Sequence, residues 1–177
     1  MNISGILLAA GSGRRFDPSG AHNKLLAPIA GNVPVVVAAA TAMLSVLRHV
    51  VAVVPDIDGE VAAALRPLGC ELISCPDASA GMGASLVHAL RSCAAGTEAW
   101  VIALGDMPFV QTTTIAALCD AIAQGASIAA PVHGGRRGNP VAFHKVYLNE
   151  LLALQGDRGA RAILDENQVT MVPVQDP

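Results

Sequence analysis

A three-layer α/β domain with a mostly parallel central sheet is the fold that three observations in this sequence predict. Short β-branched runs alternate with helical patterns along all 177 residues, the order that builds a parallel sheet covered by helices on both faces. Hydrophobic residues make up 53% of the chain and charged residues only 14%, too little charge to coat an extended or disordered structure. No internal repeat, low-complexity tract or linker divides the chain, so residues 1–177 are expected to form a single domain, large enough to bury a core without disulfide or metal staples.

The expected strands are residues 4–9, 50–54, 71–74, 100–104, 127–131 and 169–174, each a short apolar run bounded by turn residues. The apolar run 33–47 stops at Arg48 and His49 and falls short of the roughly 20 residues that span a bilayer; it reads as a core helix followed by a buried strand. Asp58 is the expected cap of a helix over 60–65, which Pro67 and Gly69 end. Leu86, Leu90 and Cys93 recur at helical spacing after Met82, and Ile115, Leu118, Cys119 and Ile122 do so after the cap candidates Thr112, Thr113 and Thr114. The stretch 134–140 is too rich in glycine for a helix, and with Val141-Ala142-Phe143 after it reads as a turn entering a short strand.

A formal charge of −3 and a pI near 5.9 give no global attraction for nucleic acid or an anionic membrane, so neither is expected as a partner and any phosphate binding must be local. No charged side chain precedes Arg14, unlike the basic start of a secretory signal, and the expected location is cytoplasmic. Cys70, Cys75, Cys93 and Cys119 show no paired C-x-x-C spacing and no companion histidines, and read as free thiols suited to a reducing compartment. His22 and His144 lack clustered partners and read as solvated or structural.

The chemistry begins where the apolar run Ile6-Leu7-Leu8-Ala9-Ala10 meets Gly11-Ser12-Gly13-Arg14-Arg15, with Lys24 beyond. Glycines let a backbone approach a phosphate and present N–H groups to it, while Arg15 can fork onto two phosphate oxygens and Lys24 acts as a compact charge. A tight turn with solvated cations is the alternative. Asp106 follows the buried run 100–104 and would emerge at a strand's carboxyl end, where ligands bind in open α/β sheets and where a carboxylate can hold Mg2+ against nucleotide phosphates; closing a turn beside Pro108 is its alternative. Ser85, after Gly81-Met82-Gly83, stands at an expected helix start, able to meet a ligand or simply to cap the helix. Asp157 and Arg161 are spaced to form a local salt bridge.

These pieces, taken in order, resemble the nucleotidyltransferase family that includes molybdenum cofactor cytidylyltransferase and its guanylyl relatives. The resemblance is carried by Leu8-Ala9-Ala10-Gly11 with Arg15 and Lys24, by Gly81-Met82-Gly83-Ala84-Ser85-Leu86, by Leu104-Gly105-Asp106-Met107-Pro108, by Arg137-Gly138-Asn139-Pro140-Val141 and by Gly156-Asp157-Arg158-Gly159-Ala160-Arg161. It implies a Rossmann-like, nucleotide-diphospho-sugar transferase-like fold and a magnesium-dependent transfer of CMP from CTP to a molybdopterin-type cofactor, with pyrophosphate released and a molybdoenzyme as recipient. It implies catalytic roles for Arg15, Lys24 and Asp106, with Asp106 as metal ligand. The nucleotide would lie against Leu8, Ala9, Ala10, Gly11, Ser12, Gly13, Arg15, Lys24, Gly83, Ser85 and Asp106, and a small phosphorylated acceptor against Arg137, Gly138, Asn139, Asp157 and Arg161. The Ala10 methyl is expected to narrow the space beside the base and disfavour a purine. The chain departs from the family in the lengthened stretch 17–23, in Gly13 and Phe16 where serine and methionine are common, and in Val174-Gln175-Asp176-Pro177, where relatives continue into an Asp/Asn-rich segment that supplies a further metal ligand; Asp157 is the candidate substitute. Guanylyl transfer, sugar-1-phosphate nucleotidyl transfer and nucleotide or cofactor binding without turnover are the alternatives.

Overall fold

The computed structural model describes residues 1–11, 23–75, 81–93, 95–156 and 159–176. Among them, strands β1 Ile3–Leu8, β2 Val50–Val54, β3 Glu71–Ser74, β4 Ala99–Leu104, β5 Ile128–His133, β6 Arg136–Arg137, β7 Val141–His144 and β8 Thr170–Pro173 form one sheet. Its order is β3-β2-β1-β4-β7-β5-β6, with β8 also pairing β5. Strands β3, β2, β1 and β4 run parallel. Strand β7 lies antiparallel between β4 and β5, and β8 restores a parallel pairing beyond β5.

Among the described residues six α-helices cover the two faces: α1 Val35–Leu44, α2 Glu60–Leu65, α3 Met82–Ser92, α4 Thr112–Ala123, α5 Leu148–Leu152 and α6 Arg161–Glu166. Strand periodicity divides the core between them. Val50, Ala52, Val54, Val101 and Ala103 pack with Val36, Leu65, Leu118 and Ile122 of α1, α2 and α4. Val51, Val53, Trp100, Ile102 and Phe143 pack with Leu86, Leu90, Leu151 and Ile163 of α3, α5 and α6. All five residues of β2 are buried, which is why it reads as an unbroken apolar run rather than an alternating one.

The expected strands stand within one or two residues of the observed ones, and the single α/β architecture is as read. The capping chemistry differs. Gly59, not Asp58, is the N-cap of α2, and the Asp58 amide donates to Asp56 Oδ1 at 3.0 Å. Helix α4 starts from Gln111, and Thr114 lies inside it. The run 33–47 holds the helix α1 but no strand; β2 begins only after Arg48 and His49. Stretch 134–140 is more than a turn, because β5 and β6 close a hairpin over Gly134-Gly135 before the chain enters β7. His144 accepts from the Val146 amide at 3.4 Å, a structural role, and His22 lies outside the described residues. Burial pushes the Cys93 and Cys119 thiols up to about 11, so both stay protonated near neutrality. Among the described residues no helix is long and apolar enough to cross a membrane.

Candidate active site

Strands β1 and β4 pair in parallel with Leu8 opposite Leu104, so the chain leaves the sheet at both carboxyl ends side by side. The Gly105 amide donates to the Leu8 carbonyl at 2.9 Å. A Cβ on Gly105 would lie 3.2 Å from both the Ala9 Cβ and the Leu8 carbonyl oxygen, so a glycine there lets the β4 exit cross close to the β1 exit and deliver Asp106 in front of it. Lys24 comes from a 3-10 turn, Lys24–Leu26, whose first residue is preceded by Asn23; the Asn23 side chain accepts from the Leu25 amide at 3.0 Å, and buried Leu25 anchors the turn in the core. Lys24 Nζ donates to Asp106 Oδ2 at 2.6 Å, with the side chains 39% and 37% exposed. An ion pair that open to water contributes about 0–1 kcal/mol to stability, so both groups are available to a ligand at small cost.

One accessible carboxylate beside an ammonium suits Mg2+, which is held by one or two carboxylates together with substrate phosphates and keeps several waters. Among the described residues no group of three His, Cys, Asp or Glu side chains converges. Asp176 borders the same space but is already engaged. Its Oδ2 accepts from the Gln111 amide at 3.1 Å and its Oδ1 from Thr114 Oγ1 at 2.5 Å, and it is 8% exposed. It caps α4 from the far end of the chain.

Two clefts open at this end of the sheet and share residues Arg137, Gly138 and Asn139 as a common wall. The smaller, about 560 Å³, lies between Leu8, Ile102 and Leu104 of the sheet, Met82 and Leu86 of α3, and Ala160, Arg161 and Leu164 of the α6 region. The larger, about 740 Å³, is bordered by Asp106, Phe109, Ile29, Val174, His133 and Arg136. Arg137 is fixed on the α6 side, donating to Asp165 Oδ1 at 2.7 Å and to the Leu164 carbonyl at 3.3 Å. Arg161 Nε lies 3.8 Å from Asp165 Oδ2, and its expected partner Asp157 lies outside the described residues.

The structure thus joins Lys24 to Asp106, sets Leu8 at the smaller cleft, and gathers Arg137, Gly138, Asn139 and Arg161 around it. Other named residues sit elsewhere. Ala9 and Ala10 are 1% and 7% exposed and pack into the core, Ala10 in the cluster with Cys75 and Leu86, so its methyl borders neither cleft. Gly83 is buried where a Cβ would come 2.8 Å from the Gly156 carbonyl, a close backbone crossing. Ser85 is 5% exposed inside α3, whose N-cap is Gly81. Gly11 is exposed. Ser12, Gly13, Arg15 and Asp157 lie outside the described residues. Sequence reasoning missed Phe109, His133, Arg136 and Asp176; the Gly134-Gly135 hairpin signal with its flanking alternation was the one clue to two of them.

A model of the MobA-like NTP transferase domain matches residues 5–171. Over 157 residues the chain is 31% identical to the bifunctional protein GlmU of Bradyrhizobium sp. (strain ORS 278), a match that covers 81% of this chain and 32% of that protein, so the chain spans about a third of that curated relative's length. Among solved structures, Rv0371c of Mycobacterium tuberculosis in complex with manganese superimposes with a TM-score of 0.82 at 23% identity, covering 98% of this chain and 89% of that one. Molybdopterin-guanine dinucleotide biosynthesis protein A of Archaeoglobus fulgidus gives 0.68 at 23% identity, covering 97% and 83%. At these identities the two structures establish the shared fold. With the family match spanning nearly the whole chain, the protein belongs to the MobA-like NTP transferase domain family.

Proposed function

We propose that the protein is a magnesium-dependent cytidylyltransferase that moves CMP from CTP to a molybdopterin-type cofactor and releases pyrophosphate. The observation that carries this reading is the Lys24–Asp106 pair, 2.6 Å apart, which joins the turn Lys24–Leu26 to the loop that follows β4 in a chain of this family. The choice of CTP rests on Leu8-Ala9-Ala10-Gly11, which resembles the cytidylyl branch. A molybdoenzyme recipient and a cytoplasmic location belong to the same reading.

In the transfer, an oxygen of the acceptor's terminal phosphate bonds to the α-phosphorus of CTP. The bond from that phosphorus to the bridging oxygen breaks, and pyrophosphate leaves with the electron pair. No protein nucleophile is needed, because the acceptor supplies the attacking oxygen. The chain's task is positioning and charge neutralisation, the preorganised electrostatics that account for much of enzymatic rate enhancement. Asp106 would hold the cation and Lys24 would exchange its carboxylate partner for a phosphate oxygen, joined by Arg15. Bound magnesium would supply Lewis-acid neutralisation of the phosphate oxygens. Gly138 and Asn139, with Arg137, Arg161 and Asp157, are the acceptor-side residues of this reading.

Pyrophosphate release, measured with each of the four ribonucleoside triphosphates and with or without molybdenum cofactor, tests it. Release that needs both CTP and the cofactor is expected. Preference for GTP would assign the guanylyl branch, release dependent on a sugar 1-phosphate would assign a different acceptor, and nucleotide binding without release would make the protein a carrier.

A further inference from the structure

The larger cleft holds charge and aromatic surface that phosphate transfer at Asp106 leaves unused. Across the β5–β6 hairpin His133 stands opposite Arg136, and Val132 opposite Arg137. Opposed residues share a face of an antiparallel ladder and successive residues alternate, so His133 and Arg136 lie on one face and Arg137 on the other. The Arg137 guanidinium is committed to Leu164 and Asp165. Arg136 has no hydrogen bond or ion pair among the described residues, and it borders the larger cleft with His133. Neither carboxylate at that cleft is paired with Arg136, since Asp106 is paired with Lys24 and both oxygens of Asp176 accept hydrogen bonds at the start of α4. The remaining wall is apolar, with Ile29, Val174 and a Phe109 ring that is 67% exposed. A concave space of about 740 Å³ with apolar walls and a few polar groups has the form of a small-molecule site.

We infer that this cleft is the acceptor subsite, and that it seats an apolar, aromatic body bearing an anionic group, with Phe109 as the stacking surface and Arg136 as the partner of the anion. An exposed ring favours an aromatic face and an unpaired guanidinium favours an anion. Asp106, at the edge of the cleft, then stands between this body and the nucleotide, which is left the smaller cleft beside Leu8 and α3. The inference rests on the nucleotidyltransferase reading for the word acceptor, and it moves the anion contact from Arg137 and Arg161 to Arg136.

Two fluorescent probes that differ only in a sulfonate, 8-anilinonaphthalene-1-sulfonate and uncharged N-phenyl-1-naphthylamine, test the cleft without the acceptor. The full chain should bind the sulfonate at one site at least tenfold more tightly than the neutral probe. Arg136→Gln should abolish that preference, Phe109→Ser should weaken both probes tenfold or more, and Arg66→Gln, a change on a distant surface, should alter neither. Saturating CTP with magnesium should leave the sulfonate bound. Equal affinity for the two probes, an unchanged preference in Arg136→Gln, or displacement of the sulfonate by CTP would overturn the inference, the last because the donor would then occupy the cleft. None of these readouts depends on turnover, so a failure of the cytidylyl assignment is registered separately.

Discussion

The connection between β4 and α4 has two ends, and an aspartate works at each to opposite purpose. At its start Asp106 is more than a third exposed, and among the described residues its side chain bonds only to a lysine that is itself exposed. At its end Asp176, arriving from beyond β8, is nearly buried and spends both oxygens on the Gln111 amide and the Thr114 hydroxyl. The first carboxylate can exchange its partner for a cation and phosphates, because almost no folding free energy depends on the pair. The second cannot, because releasing it would leave a buried hydroxyl and an amide at a helix start unsatisfied. A carboxylate at the rim of a ligand cleft is therefore a ligand candidate only when its existing hydrogen bonds are cheap to break. By that criterion Asp176 holds the loop on which Asp106 rides.

The largest effect should come from breaking the open end. Asp106→Asn keeps the shape and removes the charge, and should lower turnover by about 10²–10³-fold at saturating magnesium, the cost of losing one preorganised electrostatic contact. The melting temperature should hardly move, because the lost ion pair is exposed. Turnover within a few-fold of wild type would remove Asp106 from the metal role.

Lys24→Ala comes next. Charged hydrogen bonds contribute about 1.5–3 kcal/mol, so nucleotide affinity should fall by roughly 10–100-fold in equilibrium binding, with the domain still folded. Arg15→Lys should recover only part of what Arg15→Ala loses if a forked phosphate contact is made there. Wild-type CTP affinity in Lys24→Ala would mean that the lysine serves the loop alone.

How far this site was legible depends on the distance over which each contact is made. Strands β2 and β3 match their expected bounds residue for residue, because a short apolar run between turn residues carries its own signature. Lys24 and Asp106 could each be named for chemistry, but they are 82 residues apart, and only the fold brings them together. Asp176 and Thr114 are 62 apart, and no local pattern announces a cap supplied from another strand's far end; the three threonines 112–114 drew the cap assignment instead. Strand β6, two residues long, is too short for any periodicity to show. Ser85 and Gly83 sat in a recognisable motif, yet one is packed inside α3 and the other leaves room for the Gly156 carbonyl.

At the closed end of the connection, Asp176→Ala should destabilise the protein by about 1–2 kcal/mol in chemical denaturation, the usual cost of a lost helix cap. Asp176→Asn, which keeps one acceptor oxygen, should cost less. Turnover under conditions where both variants are fully folded should stay within a few-fold of wild type, since neither oxygen is free for a substrate. A loss comparable with that of Asp106→Asn, at unchanged stability, would make Asp176 a ligand and erase the contrast between the two ends.

The smallest effect is expected at Ala10, in the motif on which the choice of CTP rests. Its methyl is 7% exposed and packs with Cys75 and Leu86 behind the site, bordering neither cleft. Ala10→Gly should therefore cost about 0.5–1 kcal/mol of stability through the freer backbone of glycine. The ratio of CTP to GTP turnover should change by less than about twofold, against the roughly 1–3 kcal/mol that a methyl in direct contact with the base could decide. A ratio that narrows tenfold would put the methyl at the base after all, reached by a movement of the Leu8–Gly11 run when nucleotide binds. A wild-type preference for GTP would discard the cytidylyl assignment while leaving Asp106, Lys24 and the reaction class where they are.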